Sequence, residues 1–194
     1  MNYRDSEKAA QTDEGLGNVH AGEIPNGGWF GRFLPRSQSR PIFIFAMACY
    51  TFALQTTLGR VTGLFGLWPV TVDPVRHVLR SVRPGIDYSR MIDFLFIAPV
   101  IESFIVIGII EGLHRLNFKI TVQLIASVIV ICLLHSIQYS FWGFLVAPAF
   151  LIYAGTYVYW RRTSFWVGAQ MIIAVHFFSN VPAFLIIIKE RLHA

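Results

Sequence analysis

Four polar residues interrupt the apolar stretches of this chain, and their side chains are of the types that hydrolytic enzymes use. Glu102 lies in FIAPVIESFIVIG and His135 lies in VIVICLLHSIQYS. His176 and Asn180 lie four positions apart in AVHFFSNVPAFLIII, a spacing that puts them on one helical face. An ionisable group inside an apolar span is costly unless it is paired or hydrated, so each one is a candidate functional residue.

Two kinds of site suit this set of side chains. In the first, Glu102 and His135 activate a water molecule by general acid–base catalysis, while His176 and Asn180 donate hydrogen bonds to the oxyanion that forms from a peptide carbonyl. In the second, Glu102, His135 and His176 hold a zinc ion, because catalytic zinc sites combine three protein ligands with one open position. The residues leave both mechanisms open, and both are hydrolytic.

The elements that position these residues are expected to be membrane helices. Charged residues make up 14% of the chain, against about a quarter in soluble domains. They cluster between apolar runs whose length suits a bilayer crossing of about 20 residues. Because backbone groups in lipid must be paired internally, helices are favoured over strands. The sequence therefore predicts an all-α, polytopic membrane helix bundle with about five transmembrane helices, at about 41–58, 91–113, 118–139, 142–160 and 164–188.

Two segments outside these spans have a different pattern. Residues 1–38 are polar and lack hydrophobic periodicity, which predicts a mobile polar tail and leaves 39–194 as the membrane domain. In DPVRHVLRSVRPG, the apolar residues Val75, Val78 and Val82 fall on one face. This spacing predicts a short interfacial amphipathic helix on the membrane surface.

Positive charges beside the apolar runs account for most of the net charge of +5. We interpret them as topology signals and as contacts to membrane lipids, not as a nucleic-acid surface. The short connections HRLNFK and RRTS each carry two positive charges, and the turn between them carries none. This asymmetry favours a cytoplasmic N-terminus. The opposite orientation would instead place the arginines of residues 59–90, together with Lys189 and Arg191, on the cytoplasmic side, and the two counts of positive charges are nearly equal. Glu111 and His114, three apart at the end of the second span, are expected to pair at the interface.

In their order along successive helices, APVIESFIVIG, ICLLH and HFFSN resemble the three motifs of the CPBP family of intramembrane proteases. This family includes type II CAAX prenyl endopeptidases and bacterial proteins linked to bacteriocin processing. Its motifs are Glu-Glu followed after three residues by Arg; an aromatic residue, three residues, then His; and His, three residues, then Asn or Asp. The matching residues here are Glu102, His135, His176 and Asn180, and the resemblance covers about residues 95–182.

The resemblance implies an intramembrane endopeptidase whose catalytic residues are these four. For such a family both a metal-dependent mechanism and a metal-independent one, with Glu and His activating water, are open, and zinc stays the candidate metal. Its substrate would be a peptide or protein that is lipid-modified or membrane-anchored. Three positions depart from the motifs, since Ser103 replaces the second Glu, Ile107 replaces the Arg and Ile131 replaces the aromatic residue. These departures keep a second hypothesis open, a non-catalytic membrane protein of the same fold that binds a peptide or protein partner.

Two further hypotheses start from the same histidines and carboxylate. Histidines on facing spans could be the axial ligands of a b-type haem, and Glu102 could relay protons in a transporter. A haem site gives no role to Glu102 or Asn180. Hydrolysis uses all four residues, and we expect it ahead of the alternatives.

Overall fold

The computed structural model describes residues 39–64, 92–138 and 141–192, and every regular element in these ranges is helical. In chain order the helices are α1 (Arg40–Leu64), α2 (Ala98–Arg115), α3 (Ile120–Gln138), α4 (Trp142–Trp160) and α5 (Phe165–Leu192). A π-helical turn, Asp93–Ile97, leads directly into α2.

Five helical segments in the described residues are long and apolar enough to cross a membrane, which confirms the predicted all-α bundle. The helix bounds agree closely with the sequence except at α1, which continues to Leu64 where we expected it to end near residue 58. The hydroxyl of Thr62 donates to the carbonyl of Leu58 at 2.9 Å within this extra turn. The predicted tail 1–38 and the amphipathic helix within 73–85 lie outside the described residues.

Helix α4 is the central helix of the bundle. Of its apolar segment 67% is buried, compared with 22–33% for the other four spans. A Cβ atom added at Gly143 would collide with the carbonyl of Cys132 and the hydroxyl of Ser136 on α3, and one added at Gly168 of α5 would lie 2.9 Å from the Tyr157 ring. Small residues allow membrane helices to approach closely, so these glycines let α3 and α5 pack directly on α4.

Two short turns lie at one end of the bundle, which we call the turn face. The turn after α2 includes Asn117 with a φ of 59°, a left-handed conformation that Asn tolerates at a helix C-terminus. The turn before α5 ends at Ser164, whose hydroxyl accepts a hydrogen bond from the backbone N–H of Val167 at 3.1 Å, as an N-cap does. The start of α1 is at the same end, because Phe43 stacks on Tyr159 near the end of α4 with ring centroids 5.8 Å apart.

The opposite end, where α3 is followed by α4, is called the site face below. The turn face carries the positive charges that the sequence places in the two connections, and four of its cations are exposed, namely Arg40, Arg115, Lys119 and Arg162.

Glu111 does not depend on His114 for a partner. Its carboxylate accepts hydrogen bonds from Arg161 and from the Tyr157 hydroxyl, both at 2.8 Å, because the end of α4 packs against the end of α2.

Candidate functional site

Glu102, His135 and His176 converge from three different helices. Oε1 of Glu102 lies 3.6 Å from Nε2 of His135, and Oε2 lies 3.4 Å from Nε2 of His176. The carboxylate therefore lies between two imidazoles with one oxygen directed towards each. Three of the four candidate residues from the sequence are thus brought together, which no single helix could do.

The packing order of the helices explains this convergence. Helix α2 packs against α3 on one side and α5 on the other, and all three pack on α4. Glu102 lies four residues after the start of α2, while His135 is close to the end of α3 and His176 is in the first half of α5. Because consecutive spans run antiparallel, these three positions reach a similar depth in the bundle.

A backbone carbonyl of its own helix determines which ring nitrogen of His135 carries the hydrogen. Its Nδ1 lies 2.9 Å from the carbonyl oxygen of Ile131, one turn earlier in α3. A carbonyl oxygen can only accept, so Nδ1 bears the hydrogen, and in a neutral ring Nε2 keeps a lone pair. The nitrogen that faces Glu102 is therefore an acceptor, suited to binding a proton or a water molecule.

His176 is held from the other side by aromatic residues of α4. The ring of Tyr153 stacks on its imidazole with centroids 4.3 Å apart and an interplanar angle of 25°. Phe150 meets it edge-on at 5.4 Å and also contacts the ring of His135 at 5.4 Å. These contacts set the plane of the His176 ring and direct its Nε2 towards Glu102.

A hydrogen-bonded chain supports the same histidine. The hydroxyl of Ser179 donates to the carbonyl of His176 at 2.8 Å. Since a serine hydroxyl has one hydrogen, the hydrogen bond between Tyr153 and Ser179 must be donated by the tyrosine. Among the described residues Nδ1 of His176 has no hydrogen-bond partner, which favours the tautomer with its hydrogen on Nε2, where a carboxylate can accept it.

Sequence reasoning did not single out Tyr153, Phe150 or Ser179. Ser179 carried a local signal, because a serine three residues after His176 in a helix can bond back to that residue's carbonyl. The two aromatic residues carried none, since aromatic residues are frequent throughout α4. Their contacts with the histidines depend on how α4 crosses α3 and α5.

Asn180 is on the same face of α5 as His176, one turn closer to the helix C-terminus. Its amide nitrogen is 3.5 Å from the carbonyl oxygen of Phe94 in the π-helical turn. The amide therefore connects α5 to the start of the second span. An amide nitrogen has two hydrogens, so this contact leaves one for another acceptor.

The three departures from the family motifs are all buried. Ser103 is 0% exposed, Ile107 is 3% exposed and Ile131 is 1% exposed. Within the described residues the Ser103 hydroxyl has no hydrogen-bond partner. Small or apolar side chains packed into the bundle therefore occupy the three positions at which the sequence differs from the motifs that it resembles.

Zinc is the metal that the sequence suggests for Glu102, His135 and His176. Zinc in proteins binds imidazole nitrogens at about 2.0–2.1 Å, with its ligands directed at a common point. The residues that the structure describes include no group of three His, Cys, Asp or Glu side chains placed to hold a metal ion. Zinc binding by these three residues stays a prediction.

The arrangement can polarise a water molecule. The 3.6 Å between Oε1 of Glu102 and Nε2 of His135 exceeds the length of a hydrogen bond, 2.7–3.2 Å. A water molecule beside these two atoms could donate one hydrogen to each.

In comparisons with known proteins, no family model matches the chain, and neither a curated protein nor a solved structure is detectably similar to it.

Proposed function

We propose that this protein is an intramembrane endopeptidase that hydrolyses a peptide bond with the Glu102–His135–His176 cluster. The observation that carries the proposal is the position of the Glu102 carboxylate between two imidazoles, with Nε2 of His135 at 3.6 Å and Nε2 of His176 at 3.4 Å. The resemblance of three short motifs to the CPBP family agrees with this chemistry.

In the proposed mechanism Glu102 and His135 activate the attacking water. The water donates one hydrogen to Oε1 of Glu102 and the other to Nε2 of His135. Its oxygen attacks the peptide carbonyl carbon as its proton passes to Glu102, and the carbonyl π electrons move to the oxygen. A positioned base of this kind accelerates such a step by about 10²–10⁴-fold.

The oxyanion is stabilised by His176 and Asn180. Before the reaction Nε2 of His176 lies 3.4 Å from Oε2 of Glu102, and in the proposed tautomer this nitrogen carries the hydrogen. When Glu102 takes up the proton it loses its negative charge, so His176 can donate to the oxyanion instead. The second amide hydrogen of Asn180 supplies another donor, and a donor in this role contributes about 10²–10³-fold. The C–N bond then breaks, and the leaving nitrogen takes the proton from Glu102.

We place the turn face, and with it the N-terminus, on the cytoplasmic side. The support is the group of exposed cations at that end, Arg40, Arg115, Lys119 and Arg162, because short cytoplasmic loops carry an excess of Lys and Arg. The substrate in this proposal is a peptide or protein segment that is membrane-anchored or lipid-modified.

The test compares cells that express the wild type with cells that express Glu102→Gln, which keeps the shape of the side chain and removes the base. New N-termini in the membrane and secreted fractions are labelled and identified by mass spectrometry. We expect peptides that depend on the wild-type protein and are absent with Glu102→Gln, His135→Gln and His176→Gln.

The matched control is Asp93→Asn, which removes an exposed carboxylate outside the cluster and should leave the new N-termini in place. Each variant is checked for folding by its elution as a single species and by its thermal unfolding. If a folded Glu102→Gln variant yields the same N-termini as the wild type, the protein does not use this site for hydrolysis. The alternative of a non-catalytic protein that binds a peptide or protein partner then takes its place.

A further inference from the structure

The candidate site is far from the turn face. Counting along each helix, Glu102 is 13 positions before Arg115, His135 is 15 positions after Ile120, and His176 is 11 positions after Phe165. At about 1.5 Å per residue these separations are about 16–22 Å. In a hydrocarbon layer about 30 Å thick, the cluster is past the midplane, about 8–14 Å below the site face.

At the site face, helix α3 ends soon after the cluster. His135 is three residues from the last residue of α3, Gln138, or about 5 Å. By contrast, α5 continues for 16 residues beyond His176 to Leu192. The side chains of Glu102 and His135 remain 24% and 19% exposed, while His176 below them is 5% exposed. The more exposed part of the cluster is therefore near the end at which α3 stops.

A network of polar side chains lies between the cluster and the turn face. Arg161, the C-cap residue of α4, donates to Glu111 of α2 at 2.8 Å and to the amide oxygen of Gln123 of α3 at 3.3 Å. Tyr157 donates to the same Glu111 oxygen at 2.8 Å. Gln123 is 1% exposed and also donates to the Phe118 carbonyl at 2.7 Å. These bonds join α2, α3 and α4 between the cluster and the turn face.

We propose that the Glu102–His135–His176 cluster is accessible from the site face alone. The Arg161–Glu111–Tyr157–Gln123 network closes the opposite end of the bundle. The substrate enters from the site face as an extended segment. The statement about substrate rests on the proposed function, and the statement about access does not. An extended chain advances about 3.3 Å per residue, so a depth of about 8–14 Å requires about three or four residues without secondary structure. This selects flexible polypeptide segments and excludes tightly folded ones.

The test uses a membrane-impermeant thiol reagent on oriented vesicles. In a Cys49→Ala, Cys132→Ala background, single cysteines are introduced as Glu102→Cys in the cluster, Phe141→Cys at the site face and Lys119→Cys at the turn face. We expect Glu102→Cys to be labelled when the reagent is on the side that labels Phe141→Cys. It should not be labelled when the reagent is on the side that labels Lys119→Cys. Labelling from the turn face, from both sides or from neither side overturns the proposal.

A second probe guards against a misfolded cluster variant. Asn180→Cys is one turn from His176 on the same face, and it should show the same one-sided labelling as Glu102→Cys. Labelling of Asn180→Cys from the turn face would overturn the proposal. Because labelling needs no substrate, a protein without peptidase activity would still give the expected result, and the two proposals can fail separately.

The closing role of the network is tested by adding Arg161→Met to the Glu102→Cys protein. Loss of the guanidinium removes the bonds to Glu111 and Gln123, so labelling should now also occur from the turn face. The matched control is Arg162→Met, which removes the exposed neighbouring cation and should leave labelling one-sided. If a folded Arg161→Met protein is still labelled from the site face alone, the network does not close the bundle.

Discussion

The pair of Glu111 and Arg161 should make a measurable contribution to stability, which a double-mutant cycle can isolate. The perturbations are Glu111→Gln and Arg161→Met, separately and together. The two charged groups are 2.8 Å apart, and their side chains are 26% and 14% exposed. Exposed ion pairs contribute up to about 1 kcal/mol, whereas removing one partner of a buried pair costs about 3–5 kcal/mol.

The exposures place this pair between those limits, and Glu111 keeps a second donor, Tyr157, when Arg161 is removed. We therefore expect a coupling free energy of about 2 kcal/mol, which corresponds to a change of about 30-fold in the unfolding equilibrium. The assay is reversible unfolding in mixed micelles for the wild type, the two single variants and the double variant. Each single variant should be destabilised, and the double variant should lose less than the sum.

The control cycle replaces Arg161→Met by Arg162→Met in combination with Glu111→Gln. Because Arg162 is exposed at the turn face, its effect should add to that of Glu111→Gln within about 0.5 kcal/mol. A coupling below about 0.5 kcal/mol for the Glu111–Arg161 pair, or an equal coupling for both arginines, would contradict the role assigned to this network.

Three further predictions concern the site and its packing. Replacing Tyr153 by Leu removes the ring that stacks on His176, a contact that contributes about 0.5–1.5 kcal/mol. The cleavage rate should therefore fall about 2–12-fold, while Tyr153→Phe retains the ring and most of the rate. Equal losses of rate in the two variants would reject ring stacking as the cause. Gly143→Ala places a methyl group against the α3 backbone and should lower the free energy of unfolding by about 1–3 kcal/mol. Gly108→Ala, with open space around its Cβ position, should leave the free energy of unfolding unchanged. Unfolding in mixed micelles measures the stability of the two variants. A zinc chelator should leave Glu102-dependent cleavage unchanged, because in the proposed mechanism Glu102 and His135 activate the water directly. Inhibition that is reversed by added zinc would show instead that Glu102, His135 and His176 hold a metal.

The sequence was sufficient to predict the helices. A membrane span must be long, apolar and internally hydrogen-bonded, so composition and run length alone locate all five spans, with bounds close to those in the structure except at the end of α1. It also indicated Glu102, His135 and His176, because an ionisable residue in such a span is rare and costly. Asn180 was indicated only by its spacing from His176.

The positions of the site residues relative to one another could not be predicted in the same way. Helical spacing relates residues within one helix, and Glu102, His135 and His176 lie on three helices. Their contact depends on the order in which those helices pack and on their relative depth. The partner of Glu111 shows the same limit, since the sequence offered His114 on the same helix and the structure brings Arg161 from α4.

The sequence by itself therefore determined the class of structure and the residues able to do chemistry, because both follow from the cost of placing polar groups in hydrocarbon. Tertiary structure decided the rest. It placed the Glu102 carboxylate between two imidazoles, brought Tyr153 and Phe150 of α4 against the histidines, and linked Asn180 to the π-helical turn. These contacts depend on close helix crossings at Gly143 and Gly168. Such crossings are set by the packing of whole helix surfaces, and a local pattern within one helix does not specify that packing.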